Sequence, residues 1–521
     1  MSPTLSTTTA TRRPASAATL RLVLAEHWFP LGIACCCLAV GAFFLAQLHA
    51  WPPHEDETLA LFVGRDSLGG LLHTVHAERG GAPLHFLVAW TVVQLGGGLT
   101  ALRLASAVCA VAGLPVLAAL SARLAGRRVA LAATAVAGAS WLLLFHGVYG
   151  RMYSAFLLTS ALSYLALLRA VERDSGRRWA LWGAATLAAI ATHPYGALVL
   201  GSQAAFVLAR ARTRNAWVAL GAVTLAGLPF WLTYRVLAER LDVGGGQRVR
   251  LLGYLQDAAG DSSSGFLPVL ALLLAVAALG WWRLRPDARV LTASIVVVPA
   301  VALGLAHLGH SASPESRHLI FALPFFSTAL AAGLFRLFRA RAVLVAALAL
   351  VLTAEVAWAW HRTPALFEGE SAARIEARTT ASAWLAETAR PDDVLFGYDP
   401  VFLGAWERDR DFPETVVPRA DAKLAVSALR SPRSLGRGIW VLDAGDSNNR
   451  PPRATIPYRL PSPAFEGRVF GPYLVLRTLT PTRTPSRYLS LAESAMRLGT
   501  ELGIVDDDGN LHTILLAERR L

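Results

Sequence analysis

Residues 28–50 read WFPLGIACCCLAVGAFFLAQLHA, and residues 51–57 that follow read WPPHEDE. The first run carries no Asp, Glu, Lys or Arg. As a helix it would extend about 34 Å, enough to cross a bilayer core of about 30 Å. The second run sets His54, Glu55, Asp56 and Glu57 directly at its mouth. Working outward, long apolar runs recur between short Arg-rich segments, the pattern of a polytopic helical membrane protein. Composition agrees: of 521 residues 54% are hydrophobic and only 16% charged, which excludes an ordinary soluble enzyme and a disordered chain.

The net charge of +13 is almost wholly arginine, since Lys423 is the only lysine. Its placement speaks against a nucleic-acid surface. The clusters Arg123/Arg127/Arg128, Arg169/Arg173/Arg177/Arg178, Arg210/Arg212/Arg214, Arg283/Arg285/Arg289 and Arg336/Arg339/Arg341 all fall between apolar runs, and the positive-inside rule puts all five in the cytoplasm. That parity holds only if 82–97 does not cross. The segment is short of the ~20 residues a span needs and ends in Gly96-Gly97-Gly98, so it is expected at the outer interface. Eleven spans are then expected, at 28–50, 101–122, 129–147, 152–170, 179–193, 195–210, 216–234, 266–282, 290–308, 318–335 and 342–360. Residues 1–27 read as a disordered cytoplasmic tail without a signal-peptide cleavage site. The membrane domain is expected over 28–361, with 51–100 as its first outer loop. Cys35, Cys36, Cys37 and Cys109 lie in apolar runs and read as small buried hydrophobes.

The last 160 residues change character, with frequent charge and proline. Short apolar strands at 394–396 and 439–442 flank a helix-like stretch at 421–429, which predicts a small extracytoplasmic α/β domain over 362–521. The fold class expected is therefore an all-α polytopic membrane protein carrying that domain. No internal repeat is found.

Four places carry the chemistry-bearing residues. His54, Glu55, Asp56 and Glu57 can serve proton abstraction or cation binding at an outer mouth, or simply place negative charge at a helix N-terminus. Leu59–Arg79 is amphipathic and fits an interfacial helix; its His73 and His76 lack the carboxylate that would complete a metal set. Tyr149, Arg151 and Tyr153 form a turn that could hold a phosphate or sugar, and His193 marks the next turn. Arg317 and His318 head a late span, where an Arg can bind a lipid phosphate or anchor at the interface. Asp506-Asp507-Asp508-Gly509-Asn510 lacks calcium-loop spacing and reads as a turn.

Together these residues resemble the GT-C superfamily of integral-membrane glycosyltransferases, in the branch of the protein O-mannosyltransferases and the lipid A aminoarabinose transferase. Asp56-Glu57 matches the family's Asp-Glu pair. Gly81-Ala82-Pro83-Leu84-His85-Phe86-Leu87 and Leu102-Arg103-Leu104-Ala105-Ser106-Ala107 resemble its Pro-Pro-Leu-Tyr and Leu-Arg-Leu-Pro-Ser-Ala pattern. Arg151-Met152-Tyr153 matches its Arg-x-Tyr, and Arg317-His318-Leu319 with Pro324 resembles its later Arg-Tyr-Leu…Pro. The likeness spans roughly 28–360. Three positions depart: Gly81-Ala82 stands for His-Pro, Tyr149 for a Glu, and His318 for a Tyr.

The resemblance implies transfer of one sugar from a polyprenyl-phosphate donor to a hydroxyl of a glycan, lipid or protein on the outer face; the Arg-for-Lys, Ala-rich style of a GC-rich genome makes mannose or arabinose the natural expectation for that sugar. It implies inversion, Asp56 as the base with Glu57 orienting it or the acceptor, and Arg151 and Arg317 on the donor phosphate. Glu55, His54, His85, Tyr149, Tyr153, His193 and His318 are the further substrate contacts it suggests. No cofactor is firmly implied, although a divalent cation is compatible with the family, and no nucleic-acid partner is expected. The competing class is a transporter or flippase of lipid-linked sugars, which would place ionisable groups at the midplane. A non-catalytic envelope-assembly protein would have less reason to keep Asp56.

Overall fold

The structure is a computed structural model that describes residues 17–79, 81–211, 213–240, 259–308, 316–419, 421–432, 434–444, 463–502 and 508–521. Helix α1 (Ala17–Ala50) contains the first apolar run. It begins eleven residues before the expected span, so 17–27 are helical rather than part of a disordered tail. The reason is local: Ala17 to Glu26 are almost all good helix formers, with no Gly or Pro to stop the helix before Pro30. The rest of the expected tail, residues 1–16, lies outside the described residues.

The segment after α1 forms three short helices rather than one interfacial helix: α2 (Glu55–Val63), α3 (Leu68–Thr74) with a π turn at Val75–Arg79, and α4 (Pro83–Gln94). Gly64 ends α2, and Ser67 caps α3 by accepting from the Gly70 amide at 3.1 Å. The bundle continues with α5 (Leu99–Ala125), α6 (Arg127–Ala139), α7 (Trp141–Val148), α8 (Tyr153–Glu172), α9 (Gly176–Thr192), α10 (Gly196–Arg210), α11 (Arg214–Ala226) and α12 (Leu228–Arg240). It closes with α13 (Leu267–Arg283), α14 (Pro286–Leu308), a 3₁₀ turn at Ser316–Ala322, α15 (Leu323–Leu337) and α16 (Arg341–Arg362). Residues 309–315, between the spans expected at 290–308 and 318–335, lie outside the described residues.

Each of the eleven expected spans falls on a helix or a helix pair. Among the described residues six helices are long and apolar enough to cross a membrane, or up to eight if α6–α7 and α11–α12, bent by 57° and 45°, each count once. The remainder are the shorter helices α9, α10 and α13. The α6–α7 bend has a visible cause: Ser140 leaves the helix, and its hydroxyl accepts from the Leu143 amide to start α7. Helix α5 is central, packing on α1, α6, α7 and α8. Gly280 of α13 and Gly333 of α15 bring those two backbones together, because a Cβ at either would strike the other helix.

Short helix α17 (Ala365–Glu368) and α18 (Ala372–Thr388) lead into the C-terminal α/β unit: β1 (Val394–Phe396), α19 (Pro400–Arg408), β2 (Thr415–Val417), α20 (Ala422–Arg430), β3 (Gly438–Asp443), β4 (Phe465–Phe470), β5 (Tyr473–Thr478), α21 (Pro485–Leu502) and α22 (Asp508–Arg520). The sheet order is β2-β1-β3-β5-β4, parallel across β2, β1 and β3 and antiparallel beyond. Asp506 and Asp507 of the expected turn lie outside the described residues; Asp508 begins α22.

Both sheet faces are covered, and the side-chain period of two sorts them. Val394, Phe396, Trp440 and Leu442 pack on α20, α21 and α22. Leu395, Ile439, Val441 and Val475 pack on α18 and α19, and through Phe402 and Trp406 on Leu61, Phe62 and Phe86 of α2 and α4. Each such buried side chain contributes about 1.5–3 kcal/mol. Polar contacts fix the same seam: Arg65 donates to Phe412 O at 2.6 Å and Pro413 O at 3.1 Å, and the Leu99 amide donates to Glu407 at 2.8 Å. The C-terminal unit thus sits directly on the helices that carry the acidic cluster.

Candidate active site

The cluster is built around a residue that the sequence reading passed over as a site residue. Arg103 of α5 is 1% exposed, and every one of its N–H donors finds an acceptor. Two go to Glu57, at 2.8 and 2.7 Å; three go to the carbonyls of Leu48, Trp51 and Pro52, between 2.8 and 2.9 Å. These bonds clamp the end of α1 and the strap that leaves it. Glu57 is fully buried and accepts in addition from the His54 amide at 3.0 Å, closing a capping box on α2, and from the Gly150 amide at 2.8 Å.

Glu57 therefore holds the loop and faces no open space. Burial and four hydrogen bonds keep it within the loop, so the orienting role expected of it would act through the placement of Asp56. Its neighbour points the other way. Asp56 is 31% exposed in its side chain, accepts from the Tyr149 hydroxyl at 2.6 Å and lies 3.2 Å from Arg151 Nη1. His54, half exposed, stands 3.0 Å from the Tyr149 hydroxyl and caps the Asp56 amide. Burial by itself would raise the Asp56 pKa; Arg151, His54, the Tyr149 hydroxyl and Arg317 together outweigh it and hold the carboxyl at about 2. Burial and the adjacent Asp56 push the Tyr149 phenol well above its ordinary value, so it stays protonated and donates.

The Tyr149–Arg151 turn is pinned from beneath. The Ser106 hydroxyl of α5 lies 2.9 Å from both the His146 and the Tyr149 carbonyl oxygens and shares its one proton between them at the end of α7. Gly150 is required by space, since a Cβ there would press on Glu57 and Leu102 at 3.0–3.3 Å. Arg151 is 12% exposed in its side chain; its Nε is buried without a protein acceptor.

Behind this turn lies an aromatic and imidazole group. Tyr153 stacks on His318 with centroids 6.1 Å apart and lies 4.4 Å from His146, while Arg317 places its guanidinium 5.6 Å from the Tyr153 ring. His193 packs between Phe156 at 4.8 Å and His318 at 5.2 Å, and accepts from the Tyr195 amide. His85 is buried on α4, with Nε2 unpartnered and Asp56 and Arg151 among the charges it senses. Glu55 turns instead to the C-terminal unit, where it accepts from the Tyr398 amide at 3.1 Å. Asp56, Arg151, Arg317, His54, His85, Tyr149, Tyr153, His193 and His318 are therefore gathered at one end of the bundle, although five separate chain segments supply them.

Two further members were missed. Arg103 stood in the quoted Leu-Arg-Leu run, and a charged residue inside an apolar helix is itself a signal that a partner is near. His146 gave none, because a lone histidine in an apolar run looks like filler. Among the described residues no three His, Cys, Asp or Glu side chains come together as a metal site. His76, weighed as a ligand, pairs with Thr233 at 3.0 Å.

The family described as dolichyl-phosphate-mannose-protein mannosyltransferase matches residues 80–234, which hold the 149–153 turn but begin after Asp56. No curated protein sequence matches the chain. Among solved structures, ArnT from Cupriavidus metallidurans bound to undecaprenyl phosphate aligns with a TM-score of 0.53 at 15% identity, over 87% of this chain and 98% of that one. The Archaeoglobus fulgidus oligosaccharyltransferase aligns at 0.49 with 11% identity, over 78% and 68% of the two chains. The arabinofuranosyltransferase AftD from Mycobacteria aligns at 0.48 with 16% identity, over 87% and 40%. In its fold, and in the family match across its early helices, the chain resembles the GT-C superfamily of multi-pass membrane glycosyltransferases.

Proposed function

We propose that the protein transfers a single sugar from a polyprenyl-phosphate donor to a hydroxyl acceptor at the outer face of the cell membrane, with inversion. The observation that carries this reading is the Asp56 carboxylate, accessible at the mouth of an apolar bundle and held between Arg151 and the Tyr149 hydroxyl. ArnT, solved with undecaprenyl phosphate, supports a lipid-borne donor. The Arg clusters, on the loops at the opposite ends of the spans from Asp56, support an outer site with residues 362–521 outside as well.

In the step proposed, the acceptor oxygen attacks the anomeric carbon as the bond from that carbon to the phosphate oxygen breaks. The bonding pair leaves with the phosphate, where Arg151 and Arg317 take up its charge; the buried Arg151 Nε is a donor suited to it. The hydroxyl proton passes to Asp56. A carboxylate held at about pKa 2 is a weak base. It suffices if proton transfer is late, when the hydroxyl bonded to an electron-poor carbon has become acidic. A phosphate monoester leaves readily, so no strong acid is demanded of the histidines. Nothing in this scheme needs a divalent cation.

The test is transfer by purified protein from radiolabelled polyprenyl-phosphate sugars to glycan, lipid and peptide acceptors, with the product's anomeric configuration read by NMR. The reading expects one inverted product. A lipid-linked-sugar carrier is the second reading, favoured by Glu355, which is fully buried within α16. Donor translocation in liposomes without turnover would select it.

A further inference from the structure

The C-terminal sheet has an order reversal, and its strand ends meet Glu55, the residue before Asp56. From β1 the chain crosses by α19 to β2 on one side; from β2 it returns by α20 over β1 to β3 on the other. The two crossover helices cover opposite faces. In open parallel sheets of this kind the carboxyl ends of the strands at the reversal leave a crevice, the usual place for a ligand. Here it lies between Tyr398 and Asp399 after β1 and Asp443 at the end of β3.

Its polar walls come from four segments. Arg419, just past β2, reaches over the strand ends, donating to the Val441 carbonyl at 3.4 Å and standing 3.5 Å from Asp399 and 3.9 Å from Glu55. Arg374 of α18 pairs with Asp443. The floor of the crevice meets the membrane domain through Glu55, the residue next to Asp56. These charged side chains keep an open edge: Glu55 is 43% exposed, Arg374 21%, Arg419 19% and Asp443 16%.

We propose that this crevice is an acceptor subsite for a neutral, polyhydroxylated acceptor, a carbohydrate, whose reacting hydroxyl reaches Asp56. The assignment rests on the glycosyl-transfer reading above. The charges decide the ligand class. Guanidinium and carboxylate groups alternate around it, with Arg378 and Glu370 continuing the set behind Arg374, so an anion would meet Asp399, Asp443 and Glu55, and a cation would meet Arg374 and Arg419. A polyol has donors and acceptors on each hydroxyl and can satisfy both kinds of group. Burial raises the Asp399 carboxyl to about 7 against the pull of Arg419, so near neutrality this group both donates and accepts.

The test uses the full-length protein in nanodiscs at saturating donor, with neutral tri- to pentasaccharides, a Ser/Thr peptide and a hydroxylated lipid as acceptors. Asp443→Asn and Arg419→Gln should each raise the saccharide KM tenfold or more and leave donor hydrolysis to water within twofold. Arg374→Gln, which leaves Glu370 its second partner Arg378, should raise the saccharide KM likewise while the melting temperature holds. Unchanged saccharide KM in all three variants overturns the subsite, as does efficient transfer to the peptide or lipid alone. If wild type turns over no donor, saturation-transfer NMR with the same saccharides still decides the crevice. Signal lost in the variants keeps the subsite while the transfer reading fails; no signal in wild type overturns the subsite too.

Discussion

Replacing Arg103 by Met should unseat the site more than any change at the site itself. The substitution keeps the apolar stem and leaves Glu57 buried and charged without its partner. It also strips the carbonyls of Leu48, Trp51 and Pro52 of their donor. Breaking a buried ion pair from one side costs about 3–5 kcal/mol, two to three and a half decades in the folding equilibrium. The exposed edge of Asp56 would move with the strap, so kcat should fall by at least tenfold in whatever fraction stays folded. The measurement is SDS unfolding in mixed micelles read by tryptophan fluorescence, alongside Glu57→Gln and the double variant. Because the partners contact each other, the double variant should lose much less than the sum of the singles, with a coupling of about 0.5–3 kcal/mol. A loss below about 1 kcal/mol for Arg103→Met, or strict additivity, would refute the claim that this pair builds the site.

Tyr149→Phe removes the 2.6 Å hydrogen bond to Asp56; a bond to a charged group is worth about 1.5–3 kcal/mol, so kcat should drop roughly ten- to a hundredfold with the fold intact by melting. The pH profile should be flat from about pH 4 upward on its acid side, because the active form is the ionised Asp56 and its pKa lies at about 2. In Arg151→Met the largest cation is gone, burial prevails, and the acid limb should move above pH 4; a limb that stays put would contradict the assignment. Asp399 gives the opposite sign in stability. Its folded pKa of about 7 exceeds the unfolded value, so it binds more protons folded, and stability should decline as pH rises from about 4 to 7. Asp399→Asn, which can still cap α19, should flatten that slope in a thermal melt series.

The helices could be read in advance because hydropathy and the Arg loops are local signals. Helix existence at every expected span followed, while α9, α10 and α13 turned out shorter than a full crossing. The bend at Ser140 comes from a hydroxyl cap, and the close approach of Gly280 and Gly333 is a tertiary contact; neither leaves a periodic mark in the sequence. In the C-terminal unit β1, β3 and α20 stood out as apolar runs beside a turn residue. β2 and β4 did not, since three residues such as Thr415–Val417 hold no pattern, and Phe465–Phe470 is half charged or small.

The site divides along the same line. Asp56, Tyr149 and Arg151 were visible as polar residues where apolar runs stop. The division of labour between Asp56 and Glu57 was not, because adjacent acids look alike until one helix turn sends one into the bundle and the other to its mouth. Glu55 faced a third direction for the same reason. Glu355 was lost in the apolar run of α16, where one acid among Ala, Leu and Val shows nothing of its burial.

The central claim is that Asp56 receives the acceptor proton in transfer from a polyprenyl-phosphate sugar. Its most direct test is the rate of transfer by wild type and Asp56→Asn, purified side by side and matched in melting temperature. Wild type should transfer the sugar and the variant should lose about a hundredfold or more, the share a positioned base contributes. Equal rates in the two proteins would contradict it.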